Sequence, residues 1–210
     1  MTETFSTLVV ATVVVAVVHS LAPDHWLPFV MIGKAQTWSR VRLSWVTILA
    51  GIAHVGSSIL IGGIGILLGI AAISLQGIEA TRTTLGILLL IGFGLVYALW
   101  GLKHSKKHHH HHSFDLSGKK AVTLWTLFAV FVLGPCEPLI PLMFLATSRG
   151  LFGIVVISTI FACTTILMMV GQTLLGFSGM ELIRHEFAEK YSHAMAGVAV
   201  VMTGVFLLFV

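Results

Sequence analysis

The sequence predicts an all-α membrane protein with six transmembrane helices, arranged as two inverted three-helix repeats whose first and fourth helices are broken. Three observations predict this. Of the 210 residues 57% are hydrophobic and only 10% charged, with a mean hydropathy of +1.00, whereas a soluble domain is about 25% charged. Apolar runs recur along the chain at the length of a bilayer span, about 20 residues. A proline-flanked acid, Asp24 in one half and Glu137 in the other, interrupts the first and fourth of those runs. Together these exclude a soluble enzyme, a disordered chain and a nucleic-acid binder. The pI near 9.3 belongs to loop lysines and arginines that set membrane orientation.

Hydropathy and helix punctuation place the helices at about 5–33 (interrupted), 43–72, 83–102, 121–147 (interrupted), 151–178 and 192–210. No basic segment precedes the first run, so it reads as a retained span and not as a cleaved signal peptide. The second carries Gly62, Gly63, Gly65 and Gly69, and Gly65-x3-Gly69 has the spacing of close helix contact. The third begins after Arg82 and ends before Lys103; the fourth follows Lys119-Lys120 and the fifth follows Arg149. The stretch 179–191 mixes Glu181, Arg184, Glu186 and Glu189 with Leu182, Ile183 and Phe187, as an interfacial helix would, with His185 and His193 solvated there. Period-two alternation is absent, which argues against a β-barrel.

The whole of 1–210 is thus one membrane domain: a first repeat (1–102), a His-rich loop (103–120) and a second, inverted repeat (121–210). Ten lysines and arginines fall in 34–42, 103–120 and 179–191, and only Arg82 and Arg149 on the other side. The positive-inside rule then puts both termini outside and the His-rich loop in the cytoplasm, in a cell (inner or plasma) membrane.

Ala22-Pro23-Asp24-His25-Trp26-Leu27-Pro28 in the first helix corresponds to Pro135-Cys136-Glu137-Pro138-Leu139-Ile140-Pro141 in the fourth. Aligning Asp24 with Glu137 sets Pro28 opposite Pro141 and places a metal-ligating side chain, His25 or Cys136, beside each acid. Three spans per unit force the second unit to sit inverted, the common plan of secondary transporters, with the site at the repeat interface. Proline at membrane depth frees a backbone carbonyl that needs a new partner; a transported cation is one candidate. Of eight acids, six read as loop or N-terminal residues, Glu79 among them, leaving Asp24 and Glu137 inside apolar stretches. A carboxylate there costs about 2.5–3.5 kcal/mol on insertion scales, so it points to function.

His19-x4-Asp24-His25 joins two imidazoles to a carboxylate. That donor set suits Ni²⁺, Co²⁺, Zn²⁺ or Cu²⁺ better than Mg²⁺ or Ca²⁺. Pro23 breaks the helix between the histidines, so the turn can bring all three groups inward. His54 is the other histidine within an apolar span and is a candidate ligand. The expected metal site is His19, Asp24, His25 and His54, with Cys136 and Glu137 as the second half's contribution. In the loop, His104, His108, His109, His110, His111 and His112 are expected to collect divalent metal weakly through neutral imidazole. Ser57, Ser58, Thr164 and Thr165 either line a polar path or bond to backbone carbonyls. Gln172 is a candidate for bonding across helices, and Met168 and Met169 fill gaps in the bundle.

His19 to His25 resembles the His-x4-Asp-His signature of the nickel/cobalt transporter family. His54 followed by Ser57-Ser58 looks like that family's histidine motif in the next helix. Gly134-Pro135-Cys136-Glu137-Pro138 is similar to the proline-bracketed segment of the wider LysE-type exporter and transmembrane thiol-carrier superfamily. The resemblance implies a secondary active transporter of Ni²⁺ or Co²⁺, with Zn²⁺ an alternative cargo. It implies no permanently bound cofactor and no enzyme activity, with the lipid bilayer and the metal as partners, no nucleic acid, and a homo-oligomer as an open option. The His-rich loop leans the direction toward efflux, although an importer can use such a loop as a buffer. The alternative is a transmembrane thiol–disulfide electron carrier using Cys136 and Cys163, which requires the two sulfurs to come within bridging distance.

Overall fold

The computed structural model describes residues 2–70, 72–105, 125–126, 128–134, 136–181 and 191–209. Every regular element among them is helical, as the composition predicts. In chain order they are α1 (Thr2–Ser20), a 3-10 turn (Pro23–His25), α2 (Leu27–Ala35), α3 (Arg40–Leu67) and α4 (Ala72–Ser105). Helical residues 128–133 follow. After them come α5 (Leu139–Ala146), a second 3-10 turn (Thr147–Arg149), α6 (Gly150–Glu181) and α7 (Ser192–Leu207). His104 falls in the last turn of α4; His108 to His112, Pro135 and most of the expected interfacial helix, with His185, lie outside the described residues.

Three stretches among the described residues are long and apolar enough to cross a membrane: Arg40–Leu67, Ser74–Lys103 and Leu139–Met180. Counting the bent pair Phe5–Ser20 and Pro23–Ala35 as one span makes four. Leu139–Met180 is not one straight rod. Gly150, at φ 61°, ends the Thr147–Arg149 turn, and α5 folds back along α6 so closely that a Cβ on Gly153 would stand 2.5 Å from the Ala146 carbonyl. After that turn α6 alone still has 32 residues. Large apolar side chains point outward, with Leu67 86% and Leu167 73% exposed. A surface of this kind fits lipid and not water.

The two predicted helix interruptions are present. Pro23 sterically excludes the helical conformation for the residue before it, and Ala22 is accordingly extended (φ −55°, ψ 132°). The chain tightens into the Pro23–His25 turn and leaves it bent by 77° relative to α1. Pro28 sits in the first turn of α2, where a missing N–H does no harm. In the second half the helix stops at residue 133 and restarts at Leu139 with Pro138 as its N-cap. The third apolar element starts at Ala72 and not at 83. That shift moves Glu79 and Arg82 from an expected loop into α4.

Small residues let α4 and α7 touch backbone to backbone. A Cβ on Gly197 would lie 2.6 Å from Ala98 Cα, and one on Gly94 2.8 Å from the Val201 nitrogen. This is the close crossing of backbones; Gly65 also makes close helix contact, with α4. Gly69 (φ 65°) turns the chain beyond α3, and Gly65 faces the side chain of Leu75. Gly197→Ala is therefore expected to lower stability in detergent by about 1–3 kcal/mol through overpacking. Gly63→Ala, whose Cβ would meet no atom within 4 Å, is expected to be neutral or slightly stabilising because alanine favours helix. Thermal unfolding of the two variants checks this; equal losses would contradict the assigned crossing.

Candidate metal centre

Three histidines from three elements converge. His19 closes α1 and His25 closes the 3-10 turn, so the Pro23 break folds them together although they are six residues apart. His54 reaches them from the middle of α3. The His25 Nε2 lies 3.2 Å from His19 Nε2 and 3.3 Å from His54 Nε2. One ligand atom from each of the three rings lies within 4.8 Å of the other two. Metal–imidazole bonds of 2.0–2.1 Å in a tetrahedral shell put neighbouring nitrogens about 3.3–3.4 Å apart, which is the spacing seen around His25. His25 and His54 are buried, 2% and 3% exposed.

The far side of two rings decides which nitrogen points inward with a lone pair. His54 Nδ1 lies 3.2 Å from the Phe131 carbonyl oxygen. A carbonyl can only accept, so Nδ1 carries the proton and the Nε2 of the neutral ring is left bare. Phe131 is available because the residue four positions on is Pro135, which has no N–H to complete a helical bond. His25 Nδ1 lies 3.0 Å from Asp24 Oδ1, so it donates to that carboxylate and also turns its Nε2 inward. Two nitrogen lone pairs at 3.3 Å repel unless a proton or a metal ion lies between them. This arrangement of ligand and orienting partner is the usual design around metal-bound histidine.

Asp24 stands behind His25, holding its ring, whereas the spacing alone predicts a direct ligand. Cys136 is wholly buried, and its Sγ lies 3.5 Å from His19 Nε2, beside the three imidazoles. Glu137, adjacent in sequence, is not brought to the histidines. It is exposed, and its Oε1 accepts from the Thr83 hydroxyl at 2.6 Å. The second half therefore contributes its sulfur and the Phe131 carbonyl to the centre, while its acid faces α4. Cys163 is exposed and Cys136 buried, and both are free thiols. A cavity of about 30 Å³, room for a water-sized guest, opens beside Asp24, His54, Gly86 and Phe131.

Sequence reasoning missed a charge pair. Glu79 is 1% exposed and forms an ion pair with Arg82 one helical turn away. Arg82 also donates to Ser57 Oγ at 2.8 Å and to the Val132 carbonyl at 2.7 Å, a second acceptor in the interrupted helix. The Ser57 hydroxyl in turn donates to the His54 carbonyl at 2.8 Å. An acid and a base three residues apart on one helix face was the signal available. It is read as a loop only if α4 starts at 83. His193, expected to be solvated, is half-buried, with its Nδ1 2.8 Å from the Tyr97 hydroxyl.

Comparison of the chain with protein-family models, curated proteins and solved structures finds no match.

Two expected outcomes follow from this geometry. Asp24→Asn keeps the side-chain shape but removes the charge behind His25, and is expected to weaken Ni²⁺ or Zn²⁺ binding about 10–100-fold. His25→Ala is expected to abolish it; calorimetric titration of purified protein compares the two. Arg82→Met leaves Glu79 buried without its countercharge and is expected to cost about 3–5 kcal/mol, most of it recovered by adding Glu79→Gln. Thermal unfolding of the single and double variants measures the recovery.

Proposed function

We propose that this chain is a secondary active membrane transporter of divalent transition-metal cations, with Ni²⁺ and Co²⁺ as the leading cargo. The observation that carries the reading is the convergence of three imidazole Nε2 atoms, two of them held inward by donation from Nδ1 to Phe131 and Asp24. Such a donor set matches borderline cations and not Mg²⁺ or Ca²⁺. The resemblance of the His-x4-Asp-His segment to the signature of the nickel/cobalt transporter family favours nickel and cobalt over zinc.

In this reading the chain has six spans in two inverted repeats, and the site sits where both interrupted helices meet. Support comes from which helices touch: α3 with α6 and α4 with α7, the pairs that an exchange of halves would map onto each other. The first half supplies His19, His25 and His54; the second supplies Cys136 and the carbonyl that orients His54. Alternating access rocks one repeat against the other around this centre. The chain carries no Walker motif, which argues that it does not itself hydrolyse ATP, and in this reading an ion gradient drives the cycle. The loops bearing ten of the twelve lysines and arginines face the cytoplasm. The loop histidines gather cytoplasmic metal, which favours efflux. Burial of Cys136 and exposure of Cys163 give the thiol-carrier alternative less support.

The test is metal flux in proteoliposomes loaded with a metal-sensitive dye, offered Ni²⁺, Co²⁺, Zn²⁺ and Mn²⁺ under an imposed pH gradient. Flux of Ni²⁺ or Co²⁺ that His54→Ala abolishes is the expected result. Absence of flux for every metal under both gradient directions would sink the transporter reading.

A further inference from the structure

Polar residues recur every seven positions along α6: Ser158, Thr165 and Gln172, with Thr173 next to the last. Thr165 is 0%, Thr173 1% and Ser158 6% exposed. The Oγ of Ser158, the Oγ1 of Thr165 and Thr173, and both amide atoms of Gln172 are buried with no hydrogen-bond partner among the described residues. A helical Ser or Thr has a ready local solution, donation to the carbonyl four residues back. Elsewhere buried threonines take it: Thr47 bonds to Leu43 O at 2.9 Å and Thr203 to Ala199 O at 2.9 Å. Those on α6 do not.

Seven residues are 20° short of two helical turns, so Ser158, Thr165 and Gln172 lie nearly in line over about 21 Å. That line shares its face with Phe161, whose ring is 6.1 Å from the His19 ring. It also shares it with Gly176, where a Cβ would lie 3.3 Å from the Trp26 ring. The stripe therefore passes the histidines and continues along the broken turn toward the Glu181 end of α6. The opposite side of α6 carries Leu167, 73% exposed. Because the stripe is buried inside the bundle, a second copy of the chain cannot be what it binds. A row of orphaned polar groups is unfavourable in an apolar interior, and in the membrane such irregularity is tolerated where it lines an aqueous path. The Gln172 amide adds a constraint: its NH₂ repels a bare cation but donates well to a water molecule.

We propose that Thr165, Gln172 and Thr173 line a hydrated path along α6 between the histidine centre and the Glu181 end of the helix, with Ser158 continuing the polar line one turn beyond the centre. Their hydroxyl and amide groups exchange hydrogen bonds with the hydration shell of a passing divalent cation. The identity of the cation rests on the proposed function; the aqueous character of the path does not.

The experiment labels single cysteines in full-length protein with a cationic, membrane-impermeant methanethiosulfonate reagent, in a Cys163→Ser background whose residual Cys136 labelling is subtracted. Thr165→Cys and Gln172→Cys are expected to react at least roughly tenfold faster than Leu167→Cys, the lipid-facing control, because thiolate attack needs water. Equal rates would overturn the path, whatever the metal flux shows. Labelled stripe positions without metal flux would instead refute the transporter reading and leave the path standing. Thr165→Val separates lining from folding, since it keeps the shape and removes an unpartnered hydroxyl. Melting at or above the parental temperature with metal flux roughly tenfold lower is expected; unchanged flux would count against the path.

Discussion

The hydrogen bond from His54 Nδ1 to the Phe131 carbonyl is the interaction on which the centre depends. It exists because two constraints meet. Pro135 has no N–H, so the carbonyl four residues earlier is left over by its own helix. Inside a bilayer a leftover carbonyl must find a donor in the protein. His54 supplies that donor, and in doing so commits its proton to one nitrogen and presents the other, bare, to His25 at 3.3 Å. One bond satisfies the interrupted helix and fixes the tautomer of the His54 ring. The proline in the second half thus sets the chemistry of a histidine in the first.

Arg82 does the same for the next carbonyl, Val132, while neutralising Glu79 and bonding to Ser57. Ser57 bonds to the backbone of His54. The helix interruption, the charge pair and the histidine cluster are therefore one connected polar network within apolar helices. Removing one member of such a network leaves its partners unpaired, which is costly. The two proline-flanked acids have different partners. Asp24 orients His25, while Glu137 has turned to Thr83.

Much of this architecture was legible in the sequence because bilayer physics is one-dimensional along the chain. Apolar runs of span length announce helices, and Pro23 and Pro138 announce where they break. His19 and His25 were recognisable as partners since a break between them was predicted from Pro23 alone. The boundary at 83 failed for an equally physical reason. Glu79 and Arg82 read as loop residues when each charge is counted singly, and cancel within the apolar helix when counted as a pair. The role of Asp24 was legible as to place but not as to function, because adjacency in sequence does not say whether an acid faces the ion or the back of the neighbouring ring.

By itself, then, the sequence determined the helical membrane-fitting class, the two interruptions and the residue types able to bind a metal, since these follow from local hydropathy and from the covalent geometry of proline. Only the tertiary structure decided that His54 joins His19 and His25, that Cys136 arrives beside them while Glu137 does not, and which nitrogen of two rings faces inward. Those outcomes depend on contacts across separations as long as the 117 residues from His19 to Cys136. No local pattern encodes them, because a hydrogen bond's partner is chosen by which groups the folded helices leave unsatisfied.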